Sequence, residues 1–124
     1  MDMLEMDENM RPDLIYMACP YSHPDMEVRK FRFEMANKAA AQLIETGNHV
    51  FSPISHTHPI ELASNGKLPA QWEYWAAYDE RMLTNCDRLV VLAIGGWNVS
   101  VGVKAEIDIA TRLGKPVDYW EPEF

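Results

Sequence analysis

The chain has 124 residues, 48% of them hydrophobic and 24% charged, and it carries a formal net charge of -8 at pH 7. This length and composition are typical of one globular domain with its own core. The negative charge disfavours nucleic acid polymers, whose partners need basic surface to displace counterions. No stretch approaches the roughly 18 apolar residues of a membrane span and no signal-peptide pattern opens the chain, so a cytoplasmic protein without a membrane partner is expected.

The first predicted elements are a tail, a strand and a long helix. Residues 1–12 are acidic and without periodicity, so a flexible tail is expected before a domain at residues 13–124. An apolar run at residues 14–19 is typical of a buried parallel strand, and Pro20 stops it. Ser22 and Asp25 have capping-box spacing, which predicts a helix that continues to about Thr46 and ends at Gly47. Its predicted inner face consists of Val28, Phe31, Met35, Ala36, Ala39 and Leu43.

The middle of the chain contains an acidic residue in an unexpected position. A short strand is predicted at residues 49–52, and residues 54–69 carry turn residues without a period, which predicts a long active-site or surface loop. Residues 72–86 have apolar side chains at three- and four-residue spacing, the pattern of an amphipathic helix. Asp79 falls in the middle of that apolar stripe. Because an isolated buried charge is very costly, we expect Asp79 to face a polar cavity such as an active site.

The remaining elements complete an alternating pattern. They are a strand at residues 88–94, a tight loop at 95–98, a helix from about Ser100 to Leu113 and a last strand at 116–120. Strands that alternate with helices predict an α/β protein with a flavodoxin-like or Rossmann-like three-layer fold and a four- or five-stranded parallel sheet. In such sheets ligands bind beyond the carboxyl ends of the strands.

Glu106 supplies a second candidate carboxylate. It lies at the border of the predicted buried stripe of its helix, and side chains on a helix lean toward the N-terminus, here toward the strand ends. Gly102, four residues earlier, leaves space above the carboxylate. The helix N-terminus favours the ionised form, which could act as a nucleophile. The alternative is a surface glutamate with Asp79 as a loop cap, and spacing alone favours that alternative.

The same helix start could bind an anion. Ser100 and the amides of Val101 and Gly102 have the arrangement that binds phosphate, although an ordinary N-cap serine is the commoner case. Aromatic side chains near the strand ends could stack on a nucleobase, although each alone is more often a core residue. These aromatic residues are Tyr21, Trp72, Trp75 and Trp97.

Neither a metal nor a cofactor is predicted. His56 and His58 lack the further Cys or His ligands that a zinc site needs, so His56 is considered a contact to substrate or a loop-packing residue. Cys19 and Cys86 lie in apolar surroundings, and buried free thiols are expected, as in a reducing cytoplasm. No dinucleotide or P-loop fingerprint is present.

Four short motifs together resemble the nucleoside 2-deoxyribosyltransferase superfamily, and within it a group of small uncharacterised phage and bacterial proteins. They are residues 15–21, Asp79 with residues 86–87, residues 100–106 and residues 114–117. The resemblance implies that Glu106 is the nucleophile, that Asp79 holds the base and helps to protonate its leaving nitrogen, and that Tyr16 orients Glu106. It implies cleavage of an N-glycosidic bond through a covalent sugar intermediate.

Two departures from the family pattern refine this expectation. Transferases that act on free nucleosides usually carry aspartate six residues before the glutamate, where this chain has Ser100. Similar hydrolases of nucleoside 5'-monophosphates have serine there, which implies a monophosphate substrate with water as acceptor and Ser22 as a second phosphate contact. Pro20 follows Cys19 where many relatives have glycine, and this changes the shape of the sugar pocket.

Several alternatives stay open. The chain could exchange bases as a deoxyribosyltransferase, cleave a larger nicotinamide or ADP-ribosyl substrate, or bind a nucleotide without turnover. The exposed-looking aromatic residues and the family habit of lending residues across subunits imply a homodimer or a higher homo-oligomer. The predicted partners are therefore a nucleoside or nucleotide and further copies of the chain.

Overall fold

The apolar run near the start of the chain forms the centre of a parallel sheet. The computed structural model describes residues 11–123, so the predicted tail lies almost entirely outside the described residues. The strands are β1 (Leu14–Ala18), β2 (His49–Phe51), β3 (Arg88–Leu92) and β4 (Val117–Trp120), in the order β2-β1-β3-β4. All neighbouring strands are parallel, and Tyr16 pairs with Phe51 on one side and Leu89 on the other. The predicted three-layer α/β fold is confirmed, with four strands.

Four helices and one short turn connect and cover these strands. The helices are α1 (Met26–Glu45), α2 (Pro53–Ala63), α3 (Trp72–Thr84) and α4 (Val101–Arg112), and a 3-10 turn at Trp97–Val99 precedes α4. Over the described residues, none of these helices combines the length and the hydropathy needed to cross a membrane.

Alternation along β1 divides the core into two layers. Tyr16 and Ala18 pack with Leu83 of α3 and Val103 of α4 on one face of the sheet. Met17 and Cys19 point to the other face, where they pack against alanines of α1. Successive side chains of a strand point to opposite faces, so this single strand supplies both layers. The predicted burial of both cysteines as free thiols is confirmed.

Two details of the predicted α1 are wrong. The N-cap is Asp25, whose Oδ1 accepts a hydrogen bond from the amide of Glu27 at 2.9 Å, while the Ser22 hydroxyl donates to a carbonyl elsewhere. Phe31, predicted on the inner face, is 56% exposed. Half-buried Arg32 lies on the inner face instead, four residues before buried Ala36 and seven before buried Ala39, which is the spacing of one helix face.

The long loop predicted at residues 54–69 is also wrong, because its first half is the helix α2. Pro53 occupies the first helical turn, where the missing amide proton costs nothing, with Ser52 as the N-cap residue. Pro59 lies inside the helix and removes one backbone hydrogen bond. Two prolines and several turn-forming residues therefore concealed a helix that buries Thr57, His58 and Glu61.

Candidate active site

A cavity of about 240 Å³ lies beyond the carboxyl ends of β1 and β2. Its walls come from the segments that follow these strands, from α2, from α3 and from the start of α4. This is the position at which parallel α/β sheets bind ligands. The lining residues are Cys19, Tyr21, Ser22, Pro53, Ile54, Thr57, Glu61, Ala70, Gln71, Trp72, Glu73, Trp75, Asp79, Val99, Ser100, Val101, Gly102 and Glu106.

Glu106 lies in the second turn of α4 and is only 5% exposed. The hydroxyl of Tyr16, fully buried in the central strand, donates a hydrogen bond to Glu106 Oε2. The pKa of Glu106 is raised to about 8, chiefly by burial; the hydrogen bond from Tyr16 opposes this shift, and the negative charge of Asp79 adds to it. Burial therefore outweighs the helix N-terminus, and Glu106 is mostly protonated at pH 7, in contrast to the ionised state expected from the sequence.

Asp79 faces the same cavity from the middle of α3 and is 8% exposed. Its Oδ1 atom is buried and has no hydrogen-bond partner within residues 11–123. Burial raises the pKa of Asp79 to about 7. An unpaired buried polar atom costs about 1–3 kcal/mol, which a ligand that donates a hydrogen bond would recover. The prediction that Asp79 would face a polar cavity is confirmed.

The start of α4 forms another part of the wall. Ser100 is the N-cap residue, and its Oγ accepts a hydrogen bond from the amide of Val103 at 3.2 Å. The predicted helix start is confirmed. A Cβ atom added to Gly102 would make an ordinary van der Waals contact with the ring of Trp72, at 3.5 Å, so α4 lies close to α3 at this position.

Of the other residues predicted for the site, some lie at the cavity and others do not. Tyr21 and Ser22 line the cavity, and Tyr16 lies behind it as the donor to Glu106. Three further residues are not among the lining residues. Pro20 is fully buried, Trp97 packs against Tyr119 with ring centroids 5.4 Å apart, and exposed His56 lies 2.8 Å from the Tyr78 hydroxyl through its Nε2.

A second polar group in the cavity escaped prediction. The Tyr21 hydroxyl donates a hydrogen bond to Glu61 Oε2 at 2.8 Å and lies 2.5 Å from His58 Nδ1. Burial raises the pKa of Glu61 and of Tyr21, and lowers that of His58. His58 and Glu61 are three residues apart, a spacing that places them on one face of a helix. This spacing is present in the sequence, but Pro53, Pro59 and the neighbouring turn-forming residues obscure it.

Arg32 also escaped prediction, although it supports the wall of the site. Its guanidinium donates to the carbonyl of Ser22 at 3.2 Å and to that of Gly95 at 3.4 Å. It therefore joins the segments that follow β1 and β3. Gly96 has φ +93°, and a Cβ atom there would lie 2.5 Å from Arg32 Nη2.

Comparison with protein families identifies the domain. Residues 13–122 match the family model of a domain of unknown function, DUF1937. The chain belongs to this family. A comparison with curated proteins finds no match.

Within the described part of this DUF1937 domain, no group of three or more His, Cys, Asp or Glu side chains is arranged to hold a metal ion. The cysteines are poor candidates for nucleophiles, because burial raises the pKa of Cys19 to about 12 and that of Cys86 to about 11. The groups in the site that can move protons near neutral pH are therefore the buried carboxyls, above all Asp79 and Glu106.

Proposed function

We propose that the protein cleaves the N-glycosidic bond of a nucleoside or a nucleoside 5'-monophosphate through a covalent glycosyl-Glu106 intermediate, with water as the acceptor. One observation carries the proposal: Glu106 and Asp79, from separate helices, are buried in the same cavity, and Tyr16 donates to the first of them. The resemblance to the nucleoside 2-deoxyribosyltransferase superfamily gives these three residues the same roles.

The reaction follows from the positions of the two carboxyls. An oxygen of ionised Glu106 attacks the anomeric carbon, the bond from that carbon to the base breaks, and its electron pair goes to the base nitrogen. Asp79 gives that nitrogen a proton. Water then attacks the same carbon, the bond to Glu106 breaks, and the proton of the water returns to Asp79. Two displacements retain the configuration of the sugar.

The lining residues bear on the form of the substrate. The amides in the first turn of α4 have no partners inside the helix, which supports a 5'-phosphate beside Ser100. Four carboxyl side chains line the cavity, and its described lining contains no Lys, Arg or His. Because like charges repel, this acidic lining supports a phosphate position only at the start of α4. It also supports a free nucleoside as the second candidate substrate.

The test is release of free base from a panel of ribo- and deoxyribonucleosides and their 5'-monophosphates, followed by chromatography. We expect Glu106→Gln to abolish release, because the amide is a far weaker nucleophile. Glu45→Gln, an exposed glutamate at the end of α1, is the control and should behave as wild type. The same loss in both variants, or full activity of Glu106→Gln, would contradict the mechanism.

The alternatives give different products. Base exchange would give a new nucleoside when a foreign base is added, whereas hydrolysis gives free sugar or sugar phosphate. A non-catalytic module would bind without any product, and Glu106→Gln would leave its affinity unchanged. The small cavity favours a nucleoside-sized ligand over an ADP-ribosyl compound, because pockets for drug-sized ligands measure about 300–1,000 Å³.

A homodimer is part of this proposal. Val99 and Val101 line the mouth of the cavity, yet they are 80% and 62% exposed. Apolar side chains at the rim of a site are what a second subunit would cover. The expected assembly has two-fold symmetry, the commonest form of homo-oligomer.

A further inference from the structure

Glu61 forms a second polar group in the cavity, separate from the pair of Asp79 and Glu106. Glu61 lies on α2, whereas Asp79 lies on α3 and Glu106 on α4, and all three carboxyls line one cavity. The Tyr21 hydroxyl donates to Glu61 and the Tyr16 hydroxyl donates to Glu106, so the two glutamates belong to different hydrogen-bonded groups. A ligand that reaches Glu106 with its sugar could therefore present another part to Glu61.

Hydrogen bonds of Tyr21 and His58 fix the orientation of Glu61. The Tyr21 hydroxyl has one proton, which it donates to Glu61 Oε2 at 2.8 Å. His58 Nδ1, 2.5 Å from the same hydroxyl oxygen, must then carry its own proton and donate to it. The ring of His58 is held against Phe33, with centroids 4.4 Å apart. This chain of two donors holds Glu61 as a hydrogen-bond acceptor.

Glu61 retains acceptor capacity for a ligand. An ionised carboxylate has about four acceptor positions, and the Tyr21 hydroxyl uses one of those on Glu61. The indole N–H of Trp75, which lines the same cavity, donates to the carbonyl of Pro69 at 2.8 Å, and this contact fixes the ring as part of the wall. A ligand group beside Glu61 must therefore offer hydrogen-bond donors and lie against an aromatic surface.

We propose that Glu61 recognises the edge of the nucleobase and selects bases with two neighbouring N–H donors, as in the ring N–H and amino group of guanine. This proposal rests on the proposed function, which places the sugar at Glu106. Both N–H groups can donate to one carboxylate in parallel. Hypoxanthine lacks the amino group and makes one such bond, and thymine flanks its single N–H with carbonyl oxygens that the carboxylate repels.

The test is binding of 2'-deoxyguanosine and 2'-deoxyinosine by calorimetry, in a Glu106→Gln background that prevents turnover. We expect 2'-deoxyguanosine to bind about 10–100-fold more tightly, as one charge-assisted hydrogen bond implies. Adding Glu61→Gln should reduce this preference to about threefold or less, because the amide group turns one acceptor into a donor. Adding Glu73→Gln instead removes a lining charge from an exposed position and should keep the preference.

A second variant separates recognition from folding. Tyr21→Phe keeps the carboxyl of Glu61 but removes the hydroxyl that orients it, so the preference should narrow while the circular dichroism spectrum stays unchanged. Equal binding of the two nucleosides, or a preference that survives Glu61→Gln, would overturn the proposal. If the Glu61-dependent preference is found but the wild type releases no base, base recognition stands and the glycosidase proposal fails.

Discussion

Replacing Glu106 by glutamine should make the protein more stable at neutral pH, and this effect is independent of any activity. The folded-state pKa of Glu106 is raised from 4.5 to about 8, chiefly by burial. A carboxyl with a raised pKa stabilises the fold while it is protonated. That contribution is complete below the unfolded pKa of 4.5 and is lost as the pH rises through about 8. Glutamine is neutral throughout, so it avoids the loss.

The size of the effect follows from the shift. Each pKa unit corresponds to about 1.36 kcal/mol, so wild-type Glu106 loses about 2–3 kcal/mol between about pH 5.5 and about pH 7.5. The free energy of unfolding of both proteins is measured with urea at the two pH values. The difference between Glu106→Gln and wild type should rise by that amount, in favour of the variant, from the lower pH to the higher. Asp79 titrates in both proteins, and its contribution largely cancels in the comparison. A difference between the two proteins that does not change with pH would refute the account of Glu106 as a buried acid.

Three further predictions follow from the same contacts. Tyr16→Phe removes the donor to Glu106, so the acidic limb of the pH–activity profile should move up by about 1–2 pH units. The reason is that a hydrogen bond to a charged group contributes about 1.5–3 kcal/mol. An acidic limb at the wild-type pH would exclude Tyr16 as a positioning residue. Gly96→Ala should lower the free energy of unfolding by about 1–2 kcal/mol because φ is +93°, whereas Gly95→Ala, which meets no atom within 4 Å, should cost less. Val101→Glu should shift the protein to monomers in light scattering, and an unchanged mass would count against a dimer interface at the cavity mouth.

Periodicity was sufficient to predict the elements that matter most for the site. The stripe through Trp72, Trp75 and Leu83 placed Asp79 inside, because a 3.6-residue repeat leaves no other face for it. The sheet could be predicted because its central strands are continuous apolar runs. Glu106 was placed only at the border of its stripe, since sequence spacing does not reveal the hydroxyl of Tyr16 that holds it inside.

Two features could not be predicted from the sequence: the helix α2, which contains two prolines, and the contacts of Arg32. Pro53 and Pro59 resemble breaks in a sequence, whereas packing against α1 and β1 stabilises the helix that contains both. Glu61 was not predicted as a site residue because it lies in that helix. Arg32 is half-buried on the inner face of α1, because three backbone carbonyls at the strand ends accept its protons. Such contacts join residues far apart in the chain and leave no periodic signal.

The protonation of the two buried carboxyls, Asp79 and Glu106, limits the proposed reaction less than their raised pKa values suggest. The reaction needs ionised Glu106 and protonated Asp79, whereas pKa values of about 8 and about 7 leave the proton of the empty cavity on Glu106. The reactive arrangement is therefore the less populated one while the cavity is empty. Positive charge that develops on the sugar favours ionised Glu106, and a base nitrogen beside the unpaired Oδ1 favours protonated Asp79. The hydrogen bond from Tyr16 acts in the same direction, because it lowers the pKa of Glu106, so the reactive arrangement would be rarer in a protein without that hydroxyl.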